Sequence, residues 1–378
     1  MTYRREEIDL ISPGAGTRQH LVFHRFGDRE ASPKAVIQAA LHADEIPAMM
    51  AAHHLLQLLD AAAREGRIRG QILLVPYANP IGLRQWANET HLGRHELRGG
   101  GNFNRDWYDL EAQVAERVAG RLGDDPAANV ATVRAALTAI LAGMTASREL
   151  DSLKLALARE AATADLLLDL HCDDESLLHL FLLPQHWPAA ADLAGELGAE
   201  AVLLDEDSGG GAFDESHSKL WLGLQRRFPE RPIPAACLAS TVELRGQADV
   251  SDALGKADAE ALYRCLVGRG YIAGPASPPP VPRCEGTQLQ ACQNLRTPAA
   301  GILAYQLELG AQVREGQVVA ELIDPAAAAG TPRQQLLAAT DGLLLSRRAH
   351  KLVLADQVVA KIVGDRPLPP ESAFKLQE

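Results

Sequence analysis

Five short, almost unbroken apolar stretches constrain this chain more than any other feature of its sequence. They are KAVIQAALH at 34–42, QILLVPYANP at 71–80, DLLLDLH at 165–171, LLHLFLLP at 177–184 and ACLASTVEL at 236–244. A strand that is apolar on both sides, rather than on alternate residues, belongs in a sheet covered on both faces. After the first stretch, Met49, Ala52, Leu55, Leu56 and Leu59 recur at helical spacing, with Pro47 suited to a first helical turn and Gly66 to a stop. HLVFHRFG at 20–27 reads as a further strand, set off by turn signals at Gly27-Asp28 and Ser32-Pro33. Strands alternating with helices predict an α/β fold: a mixed, mostly parallel sheet flanked by helices. The alanine-rich segment 110–163 predicts a helical layer, with a weak break at Gly123–Pro126.

Composition narrows the class further. At 378 residues the chain suits one large and one small domain. Its 47% hydrophobic and 23% charged residues fit a globular enzyme and exclude disordered and fibrous classes. No apolar run approaches the roughly 20 residues of a membrane span. The opening MTYRREEIDLISPG has charges but no apolar signal core, so a cytoplasmic location is expected. The five cysteines are odd in number and form no CxxC pair, which argues against a disulfide framework or a four-thiolate zinc site. A net charge of −12 argues against nucleic acid or an anionic membrane as partner. It leaves room for a small anionic substrate in a local cationic pocket, and a homo-oligomer stays open.

The proline run GPASPPPVPR at 274–283 reads as a semi-rigid linker between a catalytic domain, 1–273, and a C-terminal β domain, 284–378. Beyond it, TPAAGILAYQLELGAQVREGQVVAELIDP and ATDGLLLSRRAHKLVLADQVVAKIVG look like two imperfect halves of one compact all-β unit. That unit resembles the barrel-sandwich hybrid of biotinyl and lipoyl domains in strand pattern only. The hinge between its halves, PAAAAGTPRQQ, holds no lysine, which points away from a carrier role and toward a structural or gating one.

Four motifs carry the chemistry. His42-Ala43-Asp44-Glu45 lies where a buried strand ends and a helix begins, so an imidazole and a carboxylate can converge across a tight turn. Zinc takes about four such ligands, with nitrogen and oxygen near ~2.0–2.2 Å; the plain alternative is that Glu45 complements the helix dipole. Asp169-Leu170-His171 closes an apolar strand at the sheet's carboxyl edge, where α/β proteins place their sites. Asp169 shares a strand face with His171 and can orient its ring or line the site; the plain reading is a capped strand-end histidine. In Ser240-Thr-Val-Glu243-Leu-Arg245 an acid interrupts an apolar strand, a costly placement unless the acid is paired, with Arg245 for instance, or functional. A carboxylate beside an activated water can act as general base. Gly99-Gly-Gly-Asn-Phe-Asn104-Arg105 offers a close-approach loop and a guanidinium suited to a carboxylate.

In this order the four motifs resemble the zinc carboxypeptidase superfamily, and within it the succinylglutamate desuccinylase/aspartoacylase family, across residues 37–246. The resemblance implies one zinc ion per chain held by His42, Glu45 and His171, with Glu243 as general base. It also implies a substrate carboxylate gripped by Asn104 and Arg105, with Asp169 and Arg245 supporting or lining the site. The implied substrate is a small N-acyl amino acid, cleaved at its amide; a short peptide cleaved by a carboxypeptidase, or a non-catalytic metal-binding protein of the same fold, are the alternatives. Two positions depart from the family pattern: Ala43 stands where glycine is usual, and Arg245 stands where the deacylase branch often has glycine. Elsewhere, His53 and His54 read as helix-packing or surface residues. His91 and His95, near Arg94 and Arg98, read as either a cationic rim or a solvated loop. Gly209–Gly211, beside Asp205–Asp207, reads as an acidic loop or a lid. Gly99–Gly101 lacks the context of a phosphate-binding loop.

Overall fold

The computed structural model describes residues 3–275, 277–369 and 373. Among these, nine strands form one sheet: β1 (Tyr3–Asp9), β2 (His20–Phe26), β3 (Lys34–Ala39), β4 (Gln71–Val75), β5 (Leu166–Asp173), β6 (His179–Leu182), β7 (Ala201–Leu204), β8 (Leu238–Gly246) and β9 (Gly286–Gln288). Their order across the sheet is β1-β2-β4-β3-β5-β8-β6-β7-β9. Neighbours run parallel except in β1–β2, β2–β4 and β8–β6. The sheet is thus mixed and mostly parallel, as the unbroken apolar strands predict.

Both faces are covered. Val36, Leu73 and Leu167 point into a core shared with helices 111–118, 126–143, 149–161 and 213–227, whereas their neighbours Ile37, Leu74 and Leu168 point into a second core with helices 46–64 and 252–268. The two-residue period of a strand makes apolar residues necessary at every position in such a sheet. Helix 126–143 is long and apolar enough by composition to cross a membrane. Its Val133, Leu137, Ile140 and Leu141 are instead buried in the first core.

The C-terminal segment builds two further sheets. One holds Gly301–Tyr305, Val318–Ile323, Gln334–Leu337 and Leu352–Val353; the other holds Cys292–Arg296, Gln312–Val313, Gly342–Arg347 and Val358–Gly364. The two sequence halves exchange strands: Gly301–Tyr305 pairs with Leu352–Val353 of the second half, and Gln312–Val313 of the first half pairs with Gly342–Arg347. Neither half closes a core without the other. This unit is also tied to the first part of the chain. β9 is an edge strand of the large sheet, and Glu175–Ser176, just past β5, pairs with Ser346–Arg347.

Helices 46–64 and 252–268 cross closely because Gly255 lies against the backbone of Met50; a Cβ there would sit 2.9 Å from the Met50 Cβ and 3.0 Å from its carbonyl carbon. Gly255→Val is expected to destabilise the protein by about 1–3 kcal/mol through overpacking. Gly268→Ala, on the same helix with open space around it, should change stability by less than about 0.5 kcal/mol. Equilibrium denaturant midpoints of the two variants check the contrast.

Candidate active site

Three parallel neighbours, β3, β5 and β8, bring their carboxyl ends to one edge of the sheet. Register then assembles the site. Gln38 lies beside Asp169, Asp169 beside Thr241, and His171 beside Glu243. Because side chains two apart share a face, Asp169 and His171 on one strand, and Thr241 and Glu243 on the next, all present to the same side. His42 and Glu45 follow β3 directly, with Glu45 capping helix 46–64 and Pro47 in its first turn. Ala40, just before His42, has φ +55°, a left-handed conformation unusual for alanine. Such strain collects at functional sites. Loop 82–105 packs against this turn: Ala43 N–H donates to the Gly93 carbonyl at 3.0 Å, and a Cβ at Gly93 would fall 2.2 Å from the Asp44 nitrogen.

His42, Glu45 and His171 are buried, and their ligand atoms lie within 4.8 Å of one another. One Glu45 oxygen is 2.8 Å from His42 Nδ1 and the other 2.7 Å from His171 Nδ1. The outer edge of each ring is held. Asn102 Oδ1, which accepts the Asn104 N–H, is 2.8 Å from His42 Nε2, so that nitrogen donates. Asp169 is 2.9 Å from His171 Nε2 and is itself braced by Gln38 Nε2 at 2.9 Å. With the Nε2 positions donating, neutral rings turn both Nδ1 lone pairs toward one carboxylate. That is repulsive unless a proton or a cation lies between. Two imidazoles and a carboxylate, each steadied by an outer partner, are a donor set for a divalent metal.

The electrostatics agree. Burial opposes charge on Glu45, but His42 and His171 outweigh it and hold the carboxyl well below its usual range. Burial likewise opposes charge on His171, and Asp169 with Glu45 overcomes it, raising the ring well above the ordinary histidine value. Burial, with Arg94 adding to it, lowers His42. Arg94 Nη1 lies 3.1 Å from Glu45. Glu243 is pushed up to about 8, first by burial and then by Glu45, and its Oε2 has no hydrogen-bond partner among the described residues. A cation at the triplet would reverse that push.

His42, Glu45, His171, Arg94 and Glu243 line one cleft together with Asn104, Arg105, Asp173, Asp214, Glu215 and Lys361, and Asp169 lies behind it. Asn104 is occupied within the protein: its Oδ1 accepts the Phe213 N–H at 2.8 Å, and its Nδ2 lies 3.4 Å from His171 Nε2. Arg105 is buried, donates to the Asn104 carbonyl at 2.7 Å, and lies under Gly210, where a Cβ would come within 2.4 Å of its Cδ. Gly210 therefore packs on Arg105, in the loop between the cleft-lining residues Ser208 and Ala212. Asp214 is pushed to about 7 by burial, with Glu215 and Asp169 adding to it.

Arg245 falls elsewhere. It sits in a bulge of β8 at φ +66° and pairs with Asp258 of helix 252–268, outside the cleft. That positive φ is one that glycine adopts more readily than arginine. His54 pairs with Asp252, and His91 stacks on Trp86, both outside the cleft. The motif reading did not single out Asn102, Asp173, Asp214, Glu215 or Lys361, and it gave Arg94 only a rim role. An acidic run right after an apolar strand, DLLLDLHCDDES, was the available signal for Asp173. Lys361, almost two hundred residues away, had none that pointed to the site.

Residues 31–133, which include His42, Glu45, Arg94, Asn104 and Arg105, match the family model described as the succinylglutamate desuccinylase/aspartoacylase catalytic domain. No curated protein matches the sequence. Among solved structures, the chain is similar to a succinylglutamate desuccinylase/aspartoacylase family protein from Shewanella amazonensis SB2B, with 26% identity over 95% of this chain and 98% of that one, at a TM-score of 0.82. A protein described in the same terms from Shewanella frigidimarina NCIMB 400 is 23% identical over 96% and 97% of the two chains, at a TM-score of 0.83. The ectoine utilization protein EutE (DoeB) from Ruegeria pomeroyi shares the fold at 17% identity and a TM-score of 0.66, over 96% and 94% of the chains. Residues 31–133 thus match the catalytic-domain model of a family of amide-hydrolysing enzymes, and the chain shares its fold with solved structures described as members of that family.

Proposed function

We propose that this protein is a zinc-dependent deacylase that hydrolyses the amide of an N-acyl amino acid. The observation that carries the reading is the pairing of two features. Two imidazole Nδ1 atoms face one buried carboxylate, and Glu243 stands beside His171 in register with an oxygen that has no hydrogen-bond partner among the described residues. His42, Glu45 and His171 would hold the metal, which when bound supplies Lewis acidity and makes water a usable nucleophile near neutral pH. Asn102 and Asp169 keep the two rings aimed. Glu243 accepts the proton of the attacking water and returns it to the leaving amine. Arg94, beside Glu45, offers its guanidinium to the charge that develops on the carbonyl oxygen. Arg105 holds the substrate carboxylate, and Asn104 positions His171 and the start of helix 213–227. In this reading residues 1–273 form the catalytic domain, 274–283 the linker and 284–378 the β domain, a division supported by the separate apolar core within 295–362.

The primary test is a screen of N-acyl amino acids and dipeptides against zinc-loaded protein. Turnover of the former supports the deacylase; release of C-terminal residues from peptides alone would make it a carboxypeptidase.

Metal analysis after zinc loading should give one zinc per chain in wild type and a clear loss in His171→Ala. Equal affinity in the two proteins would remove His171 from the ligand set.

Glu243→Gln should retain zinc while losing on the order of 100- to 10,000-fold in turnover, because an amide cannot take up the proton. Near-normal turnover in that variant would place the base elsewhere.

For Arg105, wild type should strongly prefer an N-acyl amino acid over its methyl ester. Arg105→Ala should lose the preference, and Arg105→Lys should be clearly impaired because a lysine lacks the bidentate fork. An undiminished preference in Arg105→Ala would mean that another residue reads the carboxylate.

A further inference from the structure

The strand that carries His171 ends two residues on, at Asp173; Asp174 and Glu175 follow it, and the C-terminal β unit meets all three acids with cations. Lys361 Nζ lies 2.5 Å from Asp173, Lys351 Nζ 2.7 Å from Glu175, Arg347 3.1 Å from Glu175, and Arg348 3.7 Å from Asp174. The backbones are joined as well, through the pairing of Glu175–Ser176 with Ser346–Arg347 and a Leu177 N–H to Leu345 carbonyl bond of 3.1 Å. Three of these cations stand outside the cleft. Lys361 lines it, together with Asp173, Arg94 and Glu243.

The internal repeat of the β unit provides a control within the same molecule. The two halves align as Val318-Val-Ala-Glu321-Leu-Ile and Val358-Val-Ala-Lys361-Ile-Val, so Glu321 and Lys361 occupy the same place in the fold. In the first half that place holds a glutamate paired with Arg333, whose side chain is 54% exposed. In the second it holds a lysine whose side chain, like that of Asp173, is about four-fifths buried, at 19% and 20% exposure. The β architecture therefore accepts either sign of charge at this position. Glu321 itself is 23% exposed, so what sets the two apart is the partner: a half-exposed arginine for one, the cleft-lining Asp173 for the other.

We propose that Lys361 is a positioning residue of the active site, delivered by the C-terminal β unit: it anchors Asp173 and so fixes the end of the strand that presents His171. The physical argument concerns where Asp173 would otherwise turn. A largely buried carboxylate without its lysine takes up a proton or turns to another cation. Arg94 and Arg105 line the same cleft, and Arg94, which feels the charge of Asp173, is already in place on Glu45 at 3.1 Å. Lys361 keeps the two acids from competing for it. Removing Lys361 would let Asp173 draw Arg94 from the metal-binding carboxylate, which loosens the ligand set and misplaces the group that faces the scissile carbonyl. The β unit is then part of the catalytic apparatus. This inference rests on the reading of the cleft as a zinc hydrolase site.

The test compares Lys361→Met, Lys361→Arg and Glu321→Gln in the full-length protein. Zinc affinity is measured by chelator competition, turnover on the best N-acyl amino acid as separate kcat and KM, and stability by thermal denaturation. Groups that orient metal ligands typically contribute about 10- to 100-fold to metal affinity or activity. Lys361→Met is expected to lose about that much in zinc affinity, and to lose kcat more than KM rises. Lys361→Arg should recover most of both, and Glu321→Gln should leave both unchanged. Unchanged zinc affinity and kcat in Lys361→Met would overturn the proposal, as would a fall in thermal stability with no change in either. Should Lys361→Met not fold, Lys361→Gln takes its place: weakened zinc binding there supports the anchor, and wild-type zinc binding overturns it. Because zinc affinity requires no substrate, a wild type that binds zinc but turns over no N-acyl amino acid would defeat the functional reading while leaving the anchor tested.

Discussion

The buried carboxylate of Glu45 is the contact on which the site is built. It faces His42 on one oxygen and His171 on the other, and it also receives Arg94 and the Cys172 backbone N–H, the latter at 3.1 Å. Three segments distant in sequence thus meet at one side chain: the turn from β3 into helix 46–64, the 82–105 loop and the end of β5. A lone carboxylate at this depth would be strongly destabilising. Its neighbours compensate with partial and full positive charge, and a divalent cation would complete that compensation. The strained backbone at Ala40 is consistent with this, since the turn has to place an imidazole and a carboxylate three residues apart against the same point.

Around that contact the sheet acts as a ruler. Parallel neighbours put the carboxyl ends of β3, β5 and β8 at one edge, and register makes the spacing exact to a residue. A slip of one position would turn Glu243 away from His171 into the opposite core. The two apolar cores prevent such a slip, because Val242 and Leu244 on either side of Glu243 are both fully buried. The tolerance for an ionisable group inside a buried strand therefore comes from the packing of its neighbours. The single place where β8 departs from regularity is the bulge after Glu243, and there the chain turns Arg245 back to helix 252–268.

The C-terminal unit changes what counts as the site. Its duplicated strands form a core of their own, yet its edge contacts are with the acidic run that follows His171, and its Lys361 enters the cleft. Sequence distance conceals this, since the lysine lies almost two hundred residues from the carboxylate it meets.

Much of the architecture was legible from the sequence. Apolar strands of both-face character predicted a covered, mostly parallel sheet because burial on two sides leaves no polar positions to spare. The helix after His42 was readable from its period, and the β repeat from its recurring VVA strand. The motif residues His42, Glu45, Asp169, His171, Glu243, Asn104 and Arg105 do gather in one place. What sequence could not supply was which partners close around them. Asn102 on the outer face of His42, Arg94 on Glu45, and the loss of Arg245 to Asp258 each depend on three-dimensional neighbours that no spacing encodes. Local chemistry is written in short motifs because strand period and turn geometry act over a few residues. Charge compensation acts through space, so only the tertiary structure decided that the cation beside Asp173 would be Lys361.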